Sequence, residues 1–429
     1  MDSLLKFFVD IAKLKDDKRK GWTIFDISNP DTTADHLFRA ALLVWVLNKE
    51  KGLDEGMLLK MILVHHLPEL FIGQETPYDA LLPKDLTSKR EKKKFKELVE
   101  ELKNIPLTEE KLRAKQRFDA EKKAIDTLIK DMPVDVGKEI SCTWKKYITQ
   151  STKEGKFAWQ IGKLETLIQA TEYHIENESF NYELWLKWSK KRLKDPLILD
   201  FVKAIEWKVN KTGKTNKMSV YLDLMLELGK LKKLYRRGWV LRGVKNPENV
   251  SQHTYQVAIM AWLFGHIKGI DTVRAIKIAL VHDICEVYAG DQTPYDPILS
   301  IKKESIEELF NKYPRVELDK RLPWLIKKKD KEWKAMIKIT AGLNKKDQEE
   351  FVNLWIDLEE GLTKEGRFVH QLDKMVNLFQ AIEYWKKDKT FPIIPWWVDL
   401  KEAIDDPDLL GFMNELDKEF SIVDKRRNK

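Results

Sequence analysis

Apolar residues recur every three to four positions along most of the chain, which is the spacing of one face of a helix. The clearest examples open the chain and recur near residue 220: Leu4, Phe7, Phe8 and Ile11, then Leu222, Leu224, Met225, Leu228 and Leu231. No run alternates between apolar and polar residues between turn signals, so the pattern predicts no sheet. The predicted fold class is all-α.

For one helix the sequence predicts both ends as well as the apolar face. Asp271 suits the N-cap of a helix that runs through Ile276, Leu280 and Ile284, and Gly290 suits the position just past its C-terminus. We therefore predict one continuous helix across this segment.

The apolar runs are too short for a membrane span. The longest, Ala40–Leu47 and Val257–Phe264, have eight residues each, whereas a span needs about twenty. The N-terminus has no signal-peptide layout, and two cysteines, Cys142 and Cys285, cannot form a disulfide framework. We expect a cytoplasmic protein without a membrane partner.

The charge balance is only mildly basic. The net charge is +8, with 77 basic and 69 acidic residues, and lysine runs such as 92–94 and 327–329 contribute to it. In a helical chain rich in Lys and Glu, such runs are more typical of solvated faces than of a nucleic-acid surface. At 429 residues, two domains are the expected number.

The chain is an internal duplication. An offset of 217 residues relates seven features of the two halves: Gly21-Trp22 to Gly238-Trp239, Asn29-Pro30 to Asn246-Pro247, His36 to His253, His65 to His282, Glu69 to Glu286, Gly73 to Gly290, and Thr76-Pro77-Tyr78-Asp79 to Thr293-Pro294-Tyr295-Asp296. Further along, the offset becomes 211, as in Thr152–Gly155 and Thr363–Gly366. We predict domains over 1–208 and 218–429, joined by a polar linker over 209–217.

The second copy carries a candidate metal site. His253 lies on one predicted helix, and the adjacent pair His282-Asp283 follows about thirty residues later on the next. On a continuous helix, Glu286 would lie on the face of His282. Asp373, in a strongly repeated segment of a later helix, is the best candidate for a fourth ligand. Imidazole and carboxylate donors suit a divalent ion such as Mn, Fe, Co, Ni or Zn, with Mg also possible.

These residues resemble the H…HD…D signature of the HD-domain superfamily of metal-dependent phosphohydrolases. The resemblance is closer to HD-domain 5′-nucleotidases that act on deoxyribonucleoside 5′-monophosphates, which carry a tryptophan upstream of the first histidine, then HDxxE and Gly-Asp. The matching positions are Trp239, His253, His282-Asp283, Glu286, Gly290-Asp291 and Asp373. The resemblance covers about two hundred residues in each half. It implies an all-α bundle that acts as a homodimer.

The resemblance also implies roles for individual residues. Glu286 and Asp291 would serve as acid and base, in an order that the sequence leaves open. The alternative is that either carboxylate only caps a helix or faces solvent. Arg237 and Arg242 flank Trp239 and could bind the phosphate, Arg242 being preferred, with Trp239 near the sugar or base.

The first copy has lost most of this set. His66 replaces Asp283, Gly162 replaces Asp373, Gln74 replaces Asp291 and Phe25 replaces Arg242. A set of three histidines could still hold zinc. The joint loss of both carboxylate ligands and the phosphate-side arginine nevertheless predicts a degenerate, inactive half.

Three functions remain open at this point. The leading one is a 5′-nucleotidase acting on (deoxy)ribonucleoside 5′-monophosphates. The others are a related triphosphohydrolase, pyrophosphohydrolase or nuclease, and a nucleotide-binding protein without turnover. If the ancestral unit dimerised, fusing two copies would make that contact intramolecular, so we expect a pseudo-dimer, to which higher oligomerisation could be added.

Overall fold

A computed structural model of the chain describes residues 2–76, 107–211, 215–293, 295–299 and 318–420, together with the single residues 79, 90, 91, 93 and 97. The chain folds into two compact units. The first spans Lys6–Asn216, and the second spans Lys217–Lys429 and also includes Met1–Leu5. Among the described residues no strand occurs, only two isolated β-bridges, so the all-α prediction is confirmed. No described helix is both long and apolar enough to cross a membrane.

The described helices of the first unit share a core built around one fully buried helix. They are α1 (Asp2–Ala12), α2 (Lys20–Ile24), α3 (Thr33–Asn48), α4 (Glu55–Val64), α5 (Glu69–Ile72), α6 (Leu107–Ile129), α7 (Val134–Thr149), α8 (Lys153–Glu176), α9 (Tyr182–Arg192) and α10 (Pro196–Asn210). Every residue of α3 is buried, and this helix packs against α4 and α8.

The second unit repeats this order. Its described helices are α11 (Met218–Gly229), α12 (Arg237–Leu241), α13 (Val250–Lys268), α14 (Thr272–Val281), α15 (Glu286–Ala289), α16 (Asp296–Leu299), α17 (Leu318–Thr340), α18 (Lys345–Glu360), α19 (Lys364–Lys387), α20 (Ile394–Ala403) and α21 (Pro407–Phe420). Up to α15 the helices follow their first-unit equivalents at an offset of 217, and α17, α18 and α19 do so at 211. The two β-bridges, Lys18–Thr32 and Tyr235–Asn249, also repeat at 217.

The central helices start with the same device. Thr32 and Asn249 cap α3 and α13, and each forms a reciprocal capping box with the third helical residue, Asp35 or Gln252. A capping box satisfies two backbone N–H groups that the helix cannot, and so fixes where the helix begins. The fourth residue of each helix is the repeated histidine, whose position is therefore set by the cap.

The predicted helix from Asp271 to Gly290 is only partly correct. The Asp271 side chain accepts hydrogen bonds from the N–H groups of Val273 and Arg274, which confirms the N-cap. Continuity is wrong, because α14 ends at Val281. The following residues form tight i→i−3 turns, such as Glu286 N–H to the Asp283 carbonyl at 3.1 Å. Gly290 ends the separate short helix α15, with a φ of 71° that suits glycine.

The first and last residues of the repeated Thr-Pro-Tyr-Asp segment are linked by the same hydrogen bond in both units. The N–H of Thr293 donates to Asp296 Oδ2 at 2.7 Å, and that of Thr76 donates to Asp79 Oδ1 at 3.0 Å. Pro77, Tyr78 and Pro294 lie outside the described residues. These contacts support a structural role for the segment.

Candidate metal centre

His253 joins the central helix α13 to α19. Its ring is fully buried, and Nε2 lies 2.9 Å from Asp373 Oδ1. Burial and the Arg236 charge lower the pKa of His253, which keeps the imidazole neutral at physiological pH. A neutral imidazole is the form that binds metal ions.

His282 occupies the turn after α14 with a fixed ring orientation. Its Nδ1 lies 2.7 Å from the Ala279 carbonyl oxygen, and since a carbonyl only accepts, Nδ1 carries the hydrogen. The buried Nε2 therefore turns toward Asp283 Oδ2, at 3.1 Å, and Asp373 Oδ1, at 4.0 Å. A lone pair facing two carboxylates requires a cation between them, either a proton or a metal ion.

The ligand atoms of His253, His282 and Asp373 all lie within 4.8 Å of one another. The structure thus brings three of the four predicted ligands into one cluster. The fourth, Asp283, lies beside the cluster against His282, and Arg236 Nη1 donates to its Oδ2 at 2.6 Å. Two imidazoles and neighbouring carboxylates form a donor set that suits a divalent ion.

The two aspartates are held in their ionised form. Although burial opposes it, His282 and Arg236 keep the pKa of Asp283 below its ordinary value. Lys374, whose Nζ lies 2.7 Å from Asp373 Oδ2, does the same for Asp373 against its burial, together with His253. Ionised carboxylates are what a cation requires of its ligands.

The pKa of Glu286 is shifted in the opposite direction to those of the two aspartates. Glu286 is buried at the start of α15, and its Oε2 has no hydrogen-bond partner in the described part of the chain. Burial and the nearby charges of Asp283 and Asp291 raise the pKa of Glu286 well above its ordinary value. A carboxyl with a raised pKa next to ionised ones is suited to carry a proton during catalysis.

Asp291 makes a contact that both units possess. Its Oδ2 accepts the N–H of Arg237, the first residue of α12, at 2.6 Å. In the first unit, Gln74 Oε1 accepts the equivalent N–H of Lys20 at 2.8 Å. The contact survives without the charge, which supports the interpretation of Asp291 as a capping residue. An acid or base role for Asp291 stays a prediction.

Arg236 is the arginine that the structure places at the cluster, and sequence reasoning missed it. Its guanidinium contacts Asp283 and donates to Asn377 Oδ1 at 3.1 Å. Although burial opposes it, Asp291 and Asp283 raise the pKa of Arg236 further, so the side chain stays charged. The signal was available, because Arg19 stands 217 residues earlier.

The three predicted substrate contacts all have partners within the protein. The Arg237 side chain pairs with Asp296 at 2.5 Å. Arg242 Nη1 donates to the Gly238 carbonyl at 3.2 Å, and its guanidinium carbon lies 4.8 Å from the centre of the Trp396 ring. Trp239 is 1% exposed and packs against Trp396 at 4.2 Å between ring centroids. Their contact with a substrate stays a prediction.

A second basic residue was also missed. Lys328 of α17 pairs with Glu332 at 2.7 Å, and its charge acts on Glu286. At an offset of 211 the first unit has Arg117 and Glu121, paired at 2.5 Å. A base followed by an acid four residues later, repeated at this offset, was the signal that the sequence offered.

The first unit retains a cluster of a different composition. The ligand atoms of His36, His65 and His66 lie within 4.8 Å of one another. The Nδ1 of His65 donates to the Ile62 carbonyl at 2.8 Å, which is the arrangement seen at His282. Burial lowers the pKa of all three histidines, so this cluster contains no charged ligand.

The place of the second carboxylate ligand is filled in the first unit. A Cβ atom on Gly162, the equivalent of Asp373, would lie 3.1 Å from the Tyr147 hydroxyl and 3.5 Å from His65 Nε2. The Tyr147 ring packs on His65 at 4.5 Å between centroids. In the second unit the residue equivalent to Tyr147 is Leu358, which has no hydroxyl.

The fold and the cluster define an all-α protein in which buried histidines and aspartates from separate helices converge on a cation site. The HD-domain family model matches residues 11–114, 104–202 and 228–393. The chain belongs to the HD-domain family.

Relatives with assigned names resemble about half of the chain. The 5′-deoxynucleotidase HDDC2 of Dictyostelium discoideum is 36% identical over 177 residues, which are 40% of this chain and 80% of that protein. The Danio rerio protein of the same name is 30% identical over 203 residues, 47% of this chain and 88% of that protein. A solved structure of a conserved hypothetical protein from Pyrococcus furiosus is 26% identical, covers 47% of this chain and 98% of its own, and has a TM-score of 0.33.

Proposed function

We propose that the second unit is a metal-dependent phosphohydrolase that removes the phosphate from deoxyribonucleoside 5′-monophosphates. The observation that carries the proposal is the cluster of His253, His282 and Asp373, with ionised Asp283 and Arg236 beside it. Similarity to proteins named 5′-deoxynucleotidases supports the choice of substrate.

The ligands proposed for the metal are His253, His282, Asp283 and Asp373. When bound, a divalent cation would polarise a phosphoryl oxygen and lower the pKa of a water molecule on it. The mixed nitrogen and oxygen donors favour Mn, Fe, Co, Ni or Zn over an ion that prefers oxygen alone.

The surrounding residues would act on the substrate and its protons. Arg236 presents a guanidinium that can donate to a phosphate oxygen while it holds Asp283. Glu286, buried and with a raised pKa, can deliver a proton to the leaving oxygen or take one from the attacking water. Such positioned proton transfer contributes about 10²–10⁴-fold to a rate.

We propose that the first unit does not catalyse this reaction. It has neither Asp283 nor Asp373, and Tyr147 fills the space of the second. The pairing of the two units as a pseudo-dimer remains a prediction from the duplication.

A substrate panel tests the proposal. The intact chain is assayed for release of phosphate from dNMPs, NMPs, dNTPs and single-stranded DNA, each with Mn, Co, Mg or Zn. We expect metal-dependent release from dNMPs, lost in Asp283→Ala and Asp373→Ala and retained in His65→Ala. Preferred cleavage of dNTPs or DNA would contradict the substrate class. Loss of activity in a folded His65→Ala would contradict the assignment of the reaction to the second unit.

A further inference from the structure

The first unit contains a cavity of about 530 Å³ at its histidine cluster. Small-molecule sites in proteins have volumes of roughly 300–1,000 Å³, so the cavity can admit a ligand of nucleotide size. His36, His65 and His66 form part of the wall, and their lowered pKa values leave them neutral. Its electrostatic character therefore depends on the other charged residues of the wall.

Carboxylates have been replaced at this wall by uncharged residues. His66, Gln74 and Gly162 occupy the positions of three aspartates in the second unit, and Trp188 occupies that of a fourth, Asp399. Each replacement removes a negative charge. Such a charge would help to bind a metal ion and would repel an anion.

Three basic residues of the wall have been kept or added. Arg19 and Lys163 occupy the positions of Arg236 and Lys374, and Arg192 occupies that of the uncharged Ala403. The guanidinium of Arg19 donates to Thr166 Oγ1 at 3.2 Å, and its Nη1 lies 2.7 Å from His36 Nδ1 and 3.4 Å from the buried Glu165. At these positions the change is toward positive charge, although Glu165, which replaces Val376, adds a buried carboxylate beside Arg19.

Lys163 has lost its counter-ion. In the second unit, Lys374 Nζ lies 2.7 Å from Asp373, whereas the equivalent neighbour of Lys163 is a glycine. Lys163 forms no ion pair or hydrogen bond with the described residues and lies over the Trp159 and Trp188 rings, at 5.3 and 5.5 Å. An ammonium group withdrawn from water without a partner is costly, and a bound anion would offset that cost.

Neighbouring positive charges further disfavour the charged form of Lys163. Burial, followed by repulsion from Arg19 and Arg192, lowers the pKa of Lys163 to about 8. Arg19 and Arg192 thus both lie close enough to Lys163 to repel its charge. A phosphate dianion placed among them would replace repulsion by charge-assisted hydrogen bonds.

The acidic residues of the wall share one arginine. Glu69, Glu75 and Glu121 all pair with the single Arg117, at 3.3, 2.9 and 2.5 Å. Two substitutions relative to the second unit do favour the opposite charge: Glu75 replaces Gln292 and Phe25 replaces Arg242. Glu75 pairs with Arg117, and the four basic residues of the wall, Arg19, Arg117, Lys163 and Arg192, outnumber its three acidic ones by one.

An aromatic wall accompanies the basic end. Trp185 lies between Trp22, at 4.3 Å, and Phe25, at 5.8 Å between ring centroids. The guanidinium carbon of Arg192 lies 4.3 Å from the Trp188 ring centre. Aromatic side chains of this kind bind the flat face of a nucleobase, whatever the base.

We propose that this cavity binds a nucleoside monophosphate without a metal and without hydrolysing it, with the phosphate at Lys163, Arg19 and Arg192. The duplication would then have produced one unit that turns a phosphomonoester over and another that only binds one.

The test is a titration of the intact chain in excess chelator. Calorimetry with dAMP, deoxyadenosine and inorganic phosphate separates the contributions of phosphate and base. We expect saturable dAMP binding, weaker binding of phosphate alone and no detectable binding of the nucleoside. Lys163→Gln should weaken dAMP binding by about 10- to 100-fold, because it removes one charge-assisted contact. It should leave metal-dependent phosphatase activity unchanged.

Lys374→Gln is the matched control, since it makes the same change at the equivalent position of the second unit. We expect it to leave dAMP binding in chelator intact. Arg192→Gln supplies a second variant that should weaken binding, and thermal denaturation checks that each variant is folded. The proposal fails if dAMP does not bind in chelator, if binding appears only on adding zinc, or if Lys374→Gln weakens it and Lys163→Gln does not.

Discussion

Replacing Arg236 with glutamine removes an arginine that the structure places at the candidate metal centre. Its guanidinium donates to Asp283 Oδ2 at 2.6 Å and to Asn377 Oδ1 at 3.1 Å. The arginine and aspartate side chains are 14% and 17% exposed, so the pair is mostly but not fully withdrawn from water. Glutamine can keep a hydrogen bond to Asn377, but it cannot supply the charge.

The size of the effect follows from that geometry. Hydrogen bonds to charged groups contribute about 1.5–3 kcal/mol, which corresponds to roughly 10- to 150-fold in kcat/KM. We expect a loss in this range for hydrolysis of a dNMP by Arg236→Gln. Arg236→Lys should recover part of it, because an ammonium keeps the charge and loses the second contact.

The other two arginines near Trp239 supply the comparison. Arg237→Gln and Arg242→Gln should change kcat/KM less than about threefold, since the side chains of Arg237 and Arg242 contact Asp296 and the Gly238 carbonyl. The assay is steady-state release of phosphate at saturating metal, with thermal denaturation of each variant. Full activity of Arg236→Gln with a large loss in Arg242→Gln would refute the placement of the phosphate at Arg236.

Two further predictions concern catalysis and stability. Glu286→Gln should lower kcat by about 10²–10⁴-fold at unchanged metal content, and Glu69→Gln should not, which kinetics with metal analysis measures. Equal loss in both variants would contradict this division of roles. Asp357, with a 1% exposed side chain, accepts from the Thr363 N–H at 2.8 Å and from Arg274 Nε at 3.0 Å, so Asp357→Asn should destabilise the second unit by about 2–3 kcal/mol in urea unfolding at pH 7. Although burial opposes it, Thr363 and Arg274 lower the pKa of Asp357, so the difference should shrink as the pH falls below 3.8. A difference at pH 3 as large as the one at pH 7 would contradict this reasoning.

The sequence predicted the elements of this protein well because helix periodicity is local information. Both central helices, the Asp271 cap and the repeat of features at 217 and 211 were accessible without coordinates. The break after Val281 was not, because apolar spacing continues through residue 284 while the backbone changes to i→i−3 hydrogen bonds.

The candidate site was predictable where the residue types and their spacing by themselves indicate a metal site. Histidines and aspartates in a known spacing did so, and His253, His282 and Asp373 do meet in space. Arg236 and Lys328 did not, because a basic residue in a chain with 77 of them carries little information until its partners are known. A residue-by-residue comparison of the two copies would have identified both Arg236 and Lys328 as candidates, since Arg19 and Arg117 occupy the equivalent positions.

The hydroxyl of Tyr147 makes the divergence of the two units hard to reverse. Restoring an aspartate at Gly162 would bring a new Cβ within 3.1 Å of that hydroxyl, and its carboxylate would need the volume that the phenol occupies. The ring also packs on His65, so it cannot be removed without disturbing a residue of the cluster. A return to a carboxylate ligand therefore requires Tyr147 to shift or be replaced, in addition to the change at Gly162. Packing of Tyr147 against Gly162 and His65 therefore disfavours the return of a carboxylate ligand. It favours new activities of the first unit that leave the phenol in place.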